Sequence, residues 1–294
     1  MNAPPPAFTP FAPIERHGVI GDRRTGALVA ADGTIDWFCA PDFDCAPVLG
    51  ALLDPERGGF FRVGTKSARF GQQRYVENTA ILITTWPEEG IELADVMAWP
   101  DDDRAKKLRD QRIILRRLRA TSDATVLLEL RPRRNFKEPP SLPRNAVFHF
   151  DDGVLGMWAS FPVHTGGGEV HAEIHMRPRD EHWIALGWNL SPDDWSVKHA
   201  AEVFASTKKY WEDWCGELKI ENGGERTGAL KRSALTLQLL SGAPHDSALA
   251  ALTTSLPERI GGDRNYDYRC AWVRDASLSL AMLARMGKTD AVQR

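Results

Sequence analysis

Between Ile14 and about Asn189 the apolar residues come in short runs, many alternating with polar residues at the two-residue period of a strand. The runs include ALVA (27–30), TIDWF (34–38), GGFFRV (58–63), AILITTW (80–86), IELADVMAW (91–99), TVLLEL (125–130), AVFHF (146–150), GVLGMWAS (153–160), VHAEIHM (170–176) and HWIALGW (182–188). Glycine, proline and aspartate turns separate them. One hairpin is explicit, with Ile81 to Trp86 and Ile91 to Met97 joined across Pro87-Glu88-Glu89-Gly90. About a dozen short runs so closely spaced predict a large antiparallel β-sandwich over 14–190, not alternating strands and helices. The proline-rich opening, 1–13, lacks ladder donors and reads as a flexible arm.

The period changes at Ser191-Pro192-Asp193-Asp194, where a serine cap, a proline at the first helical position and an acidic residue predict a helix start. Val197, Ala200, Phe204, Trp211, Trp214 and Leu218 then follow at three- and four-residue steps, with Thr207 in the gap. This stripe predicts a linker helix over 191–222 docked on its neighbours. Further helices are predicted from Thr227 to Leu240 and from Ala276 to Met286, the latter stopped by Gly287. Between them Ser241 to Asp275 forms a connection of about 35 residues, far beyond the usual 4 to 6, and rich in aromatic and charged side chains.

Composition narrows the function. Hydrophobic residues make up 43% of the chain and charged residues 26%, and the net charge of -3 gives no general attraction to nucleic acid or anionic membrane. Arg116-Arg117-Leu118-Arg119 alternates like a half-solvated strand, and Arg131-Pro132-Arg133-Arg134 is a second local basic run, so no nucleic-acid partner is expected. Neither a signal peptide nor an apolar run of the roughly 18 residues that span a bilayer is present, so a cytoplasmic protein without membrane contact is expected. Cys39, Cys45, Cys215 and Cys270 lack zinc-ligand spacing and read as buried free thiols. His171 and His175 share a strand face without a third ligand, Asp101-Asp102-Asp103 reads as an exposed acidic turn, and Gly166-Gly167-Gly168 as a hairpin tip. No metal and no cofactor are expected.

The concentrated chemistry lies in TTSLPERIGGDRNYDYRCAWVRDAS, Thr253 to Ser277. Tyr266, Tyr268 and Trp272 offer flat apolar faces to a pyranose ring, and Arg264, Arg269, Arg274, Asp263, Asp267 and Asp275 can bind vicinal hydroxyls by charge-assisted hydrogen bonds. From composition alone, a structural ion-pair network with Asp275 as a helix cap fits equally well.

At these residues the sequence resembles glycoside hydrolase family 15, the inverting α-glucosidases that include glucoamylases, glucodextranases and bacterial trehalases. The resemblance places this segment between the first two helices of an (α/α)6 barrel. It implies that Arg274 and Asp275 hold the terminal glucose, with Trp272 and Tyr268 lining the same subsite. A second block, Glu15 to Phe61, resembles the start of the trehalase-like N-terminal β-sandwich of bacterial members. The chain departs from the pattern at Tyr266, where tryptophan is common, at Leu252, where proline is usual, and at Cys270-Ala271, in place of Tyr-Cys.

The fold class expected is therefore mainly β: a sandwich, a linker helix, and the first helices of an incomplete (α/α)6 barrel over 223–294. The partner expected is an α-glucoside such as trehalose or a maltooligosaccharide. Inverting hydrolysis needs an acid and a base roughly 6.5 to 9.5 Å apart, and the family's glutamates lie downstream of Arg294. Glu258, Asp263 and Asp267 match no family catalytic position, so no catalytic residue is expected in this chain. The alternative is a non-catalytic sandwich module that binds or scaffolds.

Overall fold

The computed structural model describes residues 8–99, 111–221, 223–242, 247–255, 259 and 261–289. Among these, fifteen strands form two antiparallel sheets. In chain order they are β1 (His17–Gly21), β2 (Gly26–Ala30), β3 (Thr34–Cys39), β4 (Pro47–Leu49), β5 (Phe60–Thr65), β6 (Gln72–Tyr75), β7 (Leu82–Trp86) and β8 (Ile91–Met97). There follow β9 (Arg112–Ala120), β10 (Ala124–Arg131), β11 (Val147–Phe150), β12 (Gly153–Ala159), β13 (His164–Gly166), β14 (Glu169–Met176) and β15 (Glu181–Trp188). The first sheet runs β1-β2-β3-β5-β10-β14-β13 with β4 beside β3, and the second runs β11-β12-β15-β9-β8-β7-β6. The expected hairpin is β7–β8, in register from Leu82 opposite Asp95 to Trp86 opposite Ile91.

The sheets face each other across one core that takes Ile35, Phe61, Val126 and Ile174 from the first and Leu93, Ile114, Leu155 and Leu186 from the second. On β14 Val170, Ala172, Ile174 and Met176 point inward while His171, Glu173 and His175 are exposed, so the first sheet shows the alternation of a half-solvated surface. The second sheet is covered on its outer side as well. Ile83, Val96, Ile113, Leu115 and Trp183 pack there against Trp195, Ala200, Val203 and Phe204. Burial on both faces accounts for the consecutive apolar residues Ile113, Ile114 and Leu115 on β9.

The covering element is helix α1 (Val197–Gly216). Its cap is Ser196, whose side chain accepts from the His199 amide, and not Ser191; Pro192 to Asp194 form a separate 3-10 turn. The buried face is Ala200, Val203, Phe204, Thr207, Trp211 and Cys215, whereas Val197 is exposed and Trp214 and Leu218 are half-buried. Helix α2 (Thr227–Leu239) agrees with expectation. Helix α3 (Val273–Arg285) starts three residues earlier than expected, which puts Asp275 inside its first turn instead of at its cap. Gly287, at φ +86°, ends it, and the Gly287 and Lys288 amides donate to the Ala284 and Leu283 carbonyls.

Several local readings are corrected. The expected flexible arm is docked from Phe8 onward: Phe8 packs on Phe60 at 4.5 Å, Ala12 is buried, and the Thr9 amide donates to Asp32. Cys270 is exposed and Cys45 half-buried, so only Cys39 and Cys215 fit the buried-thiol reading. The acidic run Asp101-Asp102-Asp103 and Glu258 lie outside the described residues. Gly166 to Gly168 do lie at the turn between β13 and β14. Among the described residues no helix is long and apolar enough to cross a membrane.

The largest correction is Arg116, which is fully buried in the inter-sheet core and not half-solvated. Its Nε and Nη2 pair with Asp95 at 2.6 and 3.3 Å, and its Nη1 and Nη2 donate to the carbonyls of Phe61 and Gly33 at 3.2 and 2.7 Å. One guanidinium thus ties the second sheet to the first. Gly33 has no room for a side chain, since a Cβ would lie 2.0 Å from the Val63 carbonyl. Arg116→Met leaves the buried Asp95 carboxylate without its partner and is expected to cost about 3 to 5 kcal/mol in denaturant unfolding, with Arg116→Met/Asp95→Leu recovering most of it. A loss below about 1 kcal/mol for the single variant would contradict the bridging role.

A second buried pair sets a pH dependence. His17 Nδ1 faces the Pro13 carbonyl at 3.0 Å and Nε2 faces Asp36 at 2.9 Å. Burial opposes the imidazolium charge, but the bonds to Asp36 and Pro13 outweigh it and raise the His17 pKa above 6.5. A raised folded-state pKa gives stability that is complete below the unfolded value and is lost as pH rises through the folded one. Melting temperature is therefore expected to fall from about pH 6.5 upward, more steeply than in His17→Gln. Coincident profiles for the two proteins would refute it.

Candidate functional site

The long connection between α2 and α3 folds back on itself as two antiparallel legs. Leu249 is bridged to Ala271 and Thr254 to Asp267. The Ala250, Ala251 and Ser255 amides donate to Cys270, Tyr268 and Tyr266. A short β16 (Ser241–Gly242) and β17 (Ser247–Ala248) close its base. A segment that reads as an unstructured loop thus pairs its two legs through their own backbone groups at the residues named.

The first leg is pinned to the sandwich by Leu252, which is buried with Trp37, Cys39 and Phe43, and by a 3.1 Å bond from the Trp37 indole to the Leu252 carbonyl. Leucine is accommodated where the family pattern has proline because its side chain fills this apolar contact. The second leg carries the predicted site residues and leads into α3.

Tyr268 and Trp272 stack with centroids 5.5 Å apart and planes 10° from parallel, and Tyr266 meets Tyr268 edge-on at 6.3 Å. Trp272 is 39% exposed and Tyr266 43%. Arg274 and Asp275 follow in the first turn of α3, where the carboxylate complements the helix dipole. The two are 3.5 Å apart, with the Arg274 side chain 78% exposed. The structure therefore brings Tyr268, Trp272, Arg274 and Asp275 onto one accessible stretch of chain.

The other charged residues of the segment have separate positions. Asp267 binds Arg269 through both oxygens, at 3.0 and 2.8 Å, and these bonds hold its carboxyl below the usual range. Asp263 and Arg264, with Arg259 and Gly262, line an open polar cleft of about 440 Å³. By residue type Arg269 belongs with the sugar-facing charges, yet its guanidinium turns to the sandwich. Its Nη1 donates to the carbonyls of Cys45 and Phe43 at 2.8 and 3.2 Å. Only the Asp267-Tyr268-Arg269 spacing hinted at this.

Fold and site together define a class: an antiparallel β-sandwich followed by helices, whose interhelical connection presents aromatic faces beside an exposed arginine–aspartate pair. Residues 9–182 match the trehalase-like N-terminal family and residues 224–294 match glycosyl hydrolases family 15. The chain therefore belongs to glycoside hydrolase family 15, with a trehalase-like N-terminal domain ahead of the hydrolase segment.

Among its relatives, a trehalase of Mycolicibacterium smegmatis is 30% identical over 97% of this chain and 46% of its own length. Trehalases of Mycobacterium tuberculosis and Thermoplasma volcanium are 28% and 29% identical over 98% and 94% of this chain, and 46% and 45% of theirs. The chain thus spans about half the length of the curated relatives it matches. The fold is similar to that of a bacterial glucoamylase crystallised with acarbose, with a TM-score of 0.60 at 14% identity over all of this chain and 51% of that one.

Proposed function

We propose that this chain supplies the glucose-holding part of an inverting, exo-acting α-glucosidase of trehalase or glucoamylase type, acting on an α-glucoside. The sandwich over 14–190 serves as an autonomous unit, 191–222 as linker, and 223–294 as the start of an (α/α)6 hydrolase domain. Tyr268 and Trp272 stack against the sugar, and Arg274 and Asp275 bind its hydroxyls. The acid and base that would complete hydrolysis are glutamates outside these 294 residues.

The observation that carries the reading is the exposure of the Arg274–Asp275 pair. An ion pair this long and this accessible contributes about 0 to 1 kcal/mol to stability, so a structural network does not account for it. Beside it Trp272 keeps an open aromatic face. On α3 the exposed apolar side chains Leu278 and Met282 lie one turn apart on one face. An exposed apolar pair of that kind supports a helix that further barrel helices cover.

Two measurements test the proposal. The purified 294-residue chain is expected to release no glucose from trehalose, maltose or starch; turnover above a host-enzyme control would overturn the division of labour and direct attention to Asp263. In a protein that also carries the remaining length of the relatives, Arg274→Ala or Asp275→Ala is expected to lower kcat/KM about 30-fold or more, because a desolvated hydroxyl loses a charged partner. Melting should stay near wild type. Near-normal kcat/KM with a lowered melting point would sink the binding role and favour the scaffolding alternative.

A further inference from the structure

The 40–46 connection from β3 to β4 makes almost no ladder, and guanidinium groups satisfy it instead. Arg134 donates to the carbonyls of Ala40 and Ala46, Arg112 to that of Pro41, and Arg269 to those of Phe43 and Cys45. Arg112 and Arg134 belong to the sandwich: Arg112 opens β9, and Arg134 lies over the Trp188 ring at 4.7 Å. Arg269 belongs to the leg that carries the aromatic pair.

Its geometry divides the guanidinium between two tasks. Nε and Nη2 are taken by Asp267, two residues back on the same leg, which leaves Nη1 to reach the Phe43 and Cys45 carbonyls and, at 3.5 Å, the Cys39 sulfur. The Arg269 amide also donates to Asp267, which fixes the turn of the backbone between them. Tyr268, within this turn, stacks on Trp272. The opposite side of the leg is held by the Ala250 and Ala251 amides.

We infer that Arg269 is a positioning residue that seats the Tyr266–Asp275 segment on the sandwich's 40–46 connection, making the N-terminal sandwich a supporting wall of the sugar site. The inference rests on the reading of Tyr268 to Asp275 as the glucose-holding segment. Nothing in the role requires Arg269 to touch substrate. A lysine would keep the charge but lose the planar fork that serves Asp267 and the two carbonyls together.

The test uses the full chain labelled with 5-fluorotryptophan, the Trp272 fluorine line being assigned through Trp272→Phe and the Trp183 line, from the far core, serving as control. Methyl α-glucoside is the titrant. In Arg269→Ala and Arg269→Lys the Trp272 line is expected to shift or broaden while that of Trp183 stays. The glucoside concentration for half-maximal response should rise about tenfold, the order expected when a charge-assisted bond set is lost. An unchanged Trp272 line and titration in a folded variant would overturn the seat, as would a Trp183 line that moves as far as that of Trp272. If Arg269→Ala does not fold, Arg269→Lys decides by the same criteria. A wild-type Trp272 line indifferent to glucoside, but displaced by the Arg269 variants, would leave the seat standing and remove the sugar reading.

Discussion

A peptide carbonyl taken out of water must find a donor, and at two places in this protein those donors are arginines. Where the sheets meet, Arg116 serves Gly33 and Phe61; where the chain leaves β3, Arg112, Arg134 and Arg269 serve five carbonyls of the 40–46 connection. An unpaired buried carbonyl costs about 1 to 3 kcal/mol, so these contacts decide whether the connections hold one shape. Arginine suits the task because its five donors are fixed in one plane and can serve a carboxylate and carbonyls at once. The same device that closes the sandwich also fastens the second leg of the α2–α3 connection to it.

Much of the sheet structure was legible because its signal is local. Alternation on β14, the β7–β8 turn and the glycine stop after α3 all sit within a few residues of the elements they define. The basic runs misled for the opposite reason. Arg116 looks like the solvated position of an alternating strand until its partners are known, and these lie at Asp95, Gly33 and Phe61, remote in sequence and on both sheets. Ser191 carries a capping signal, but its residues close a 3-10 turn, Trp195 packs on the outer face of the second sheet, and the helix begins only at Val197, capped by Ser196. The arm from Phe8 was misread because a proline-rich segment needs no ladder to dock; one buried ring and one amide bond to Asp32 hold it.

For the site, residue types and order were legible and orientation was not. Tyr268 and Trp272 lie together and accessible, and Arg274 and Asp275 are exposed beside them. Arg269 and Asp267, of the same chemistry and in the same few residues, turn toward the sandwich and each other. What separates the two sets is whether the side chain finds carbonyls to serve: Arg269 meets Phe43 and Cys45, while among the described residues Arg274 pairs with its neighbour Asp275, at 3.5 Å. An arginine held by so long and accessible an ion pair, next to a partly exposed tryptophan, is available to a ligand.

We propose that the accessible stretch from Tyr268 to Asp275 recognises a glucosyl unit. Saturation-transfer NMR on the 294-residue chain with trehalose measures that contact directly and tolerates the weak affinity of an open half-site. Transfer to the glucose ring protons is expected in the wild-type chain, with its loss in Trp272→Ala while the fold is retained. Absence of transfer in the wild type, or equal transfer in the two proteins, would contradict it.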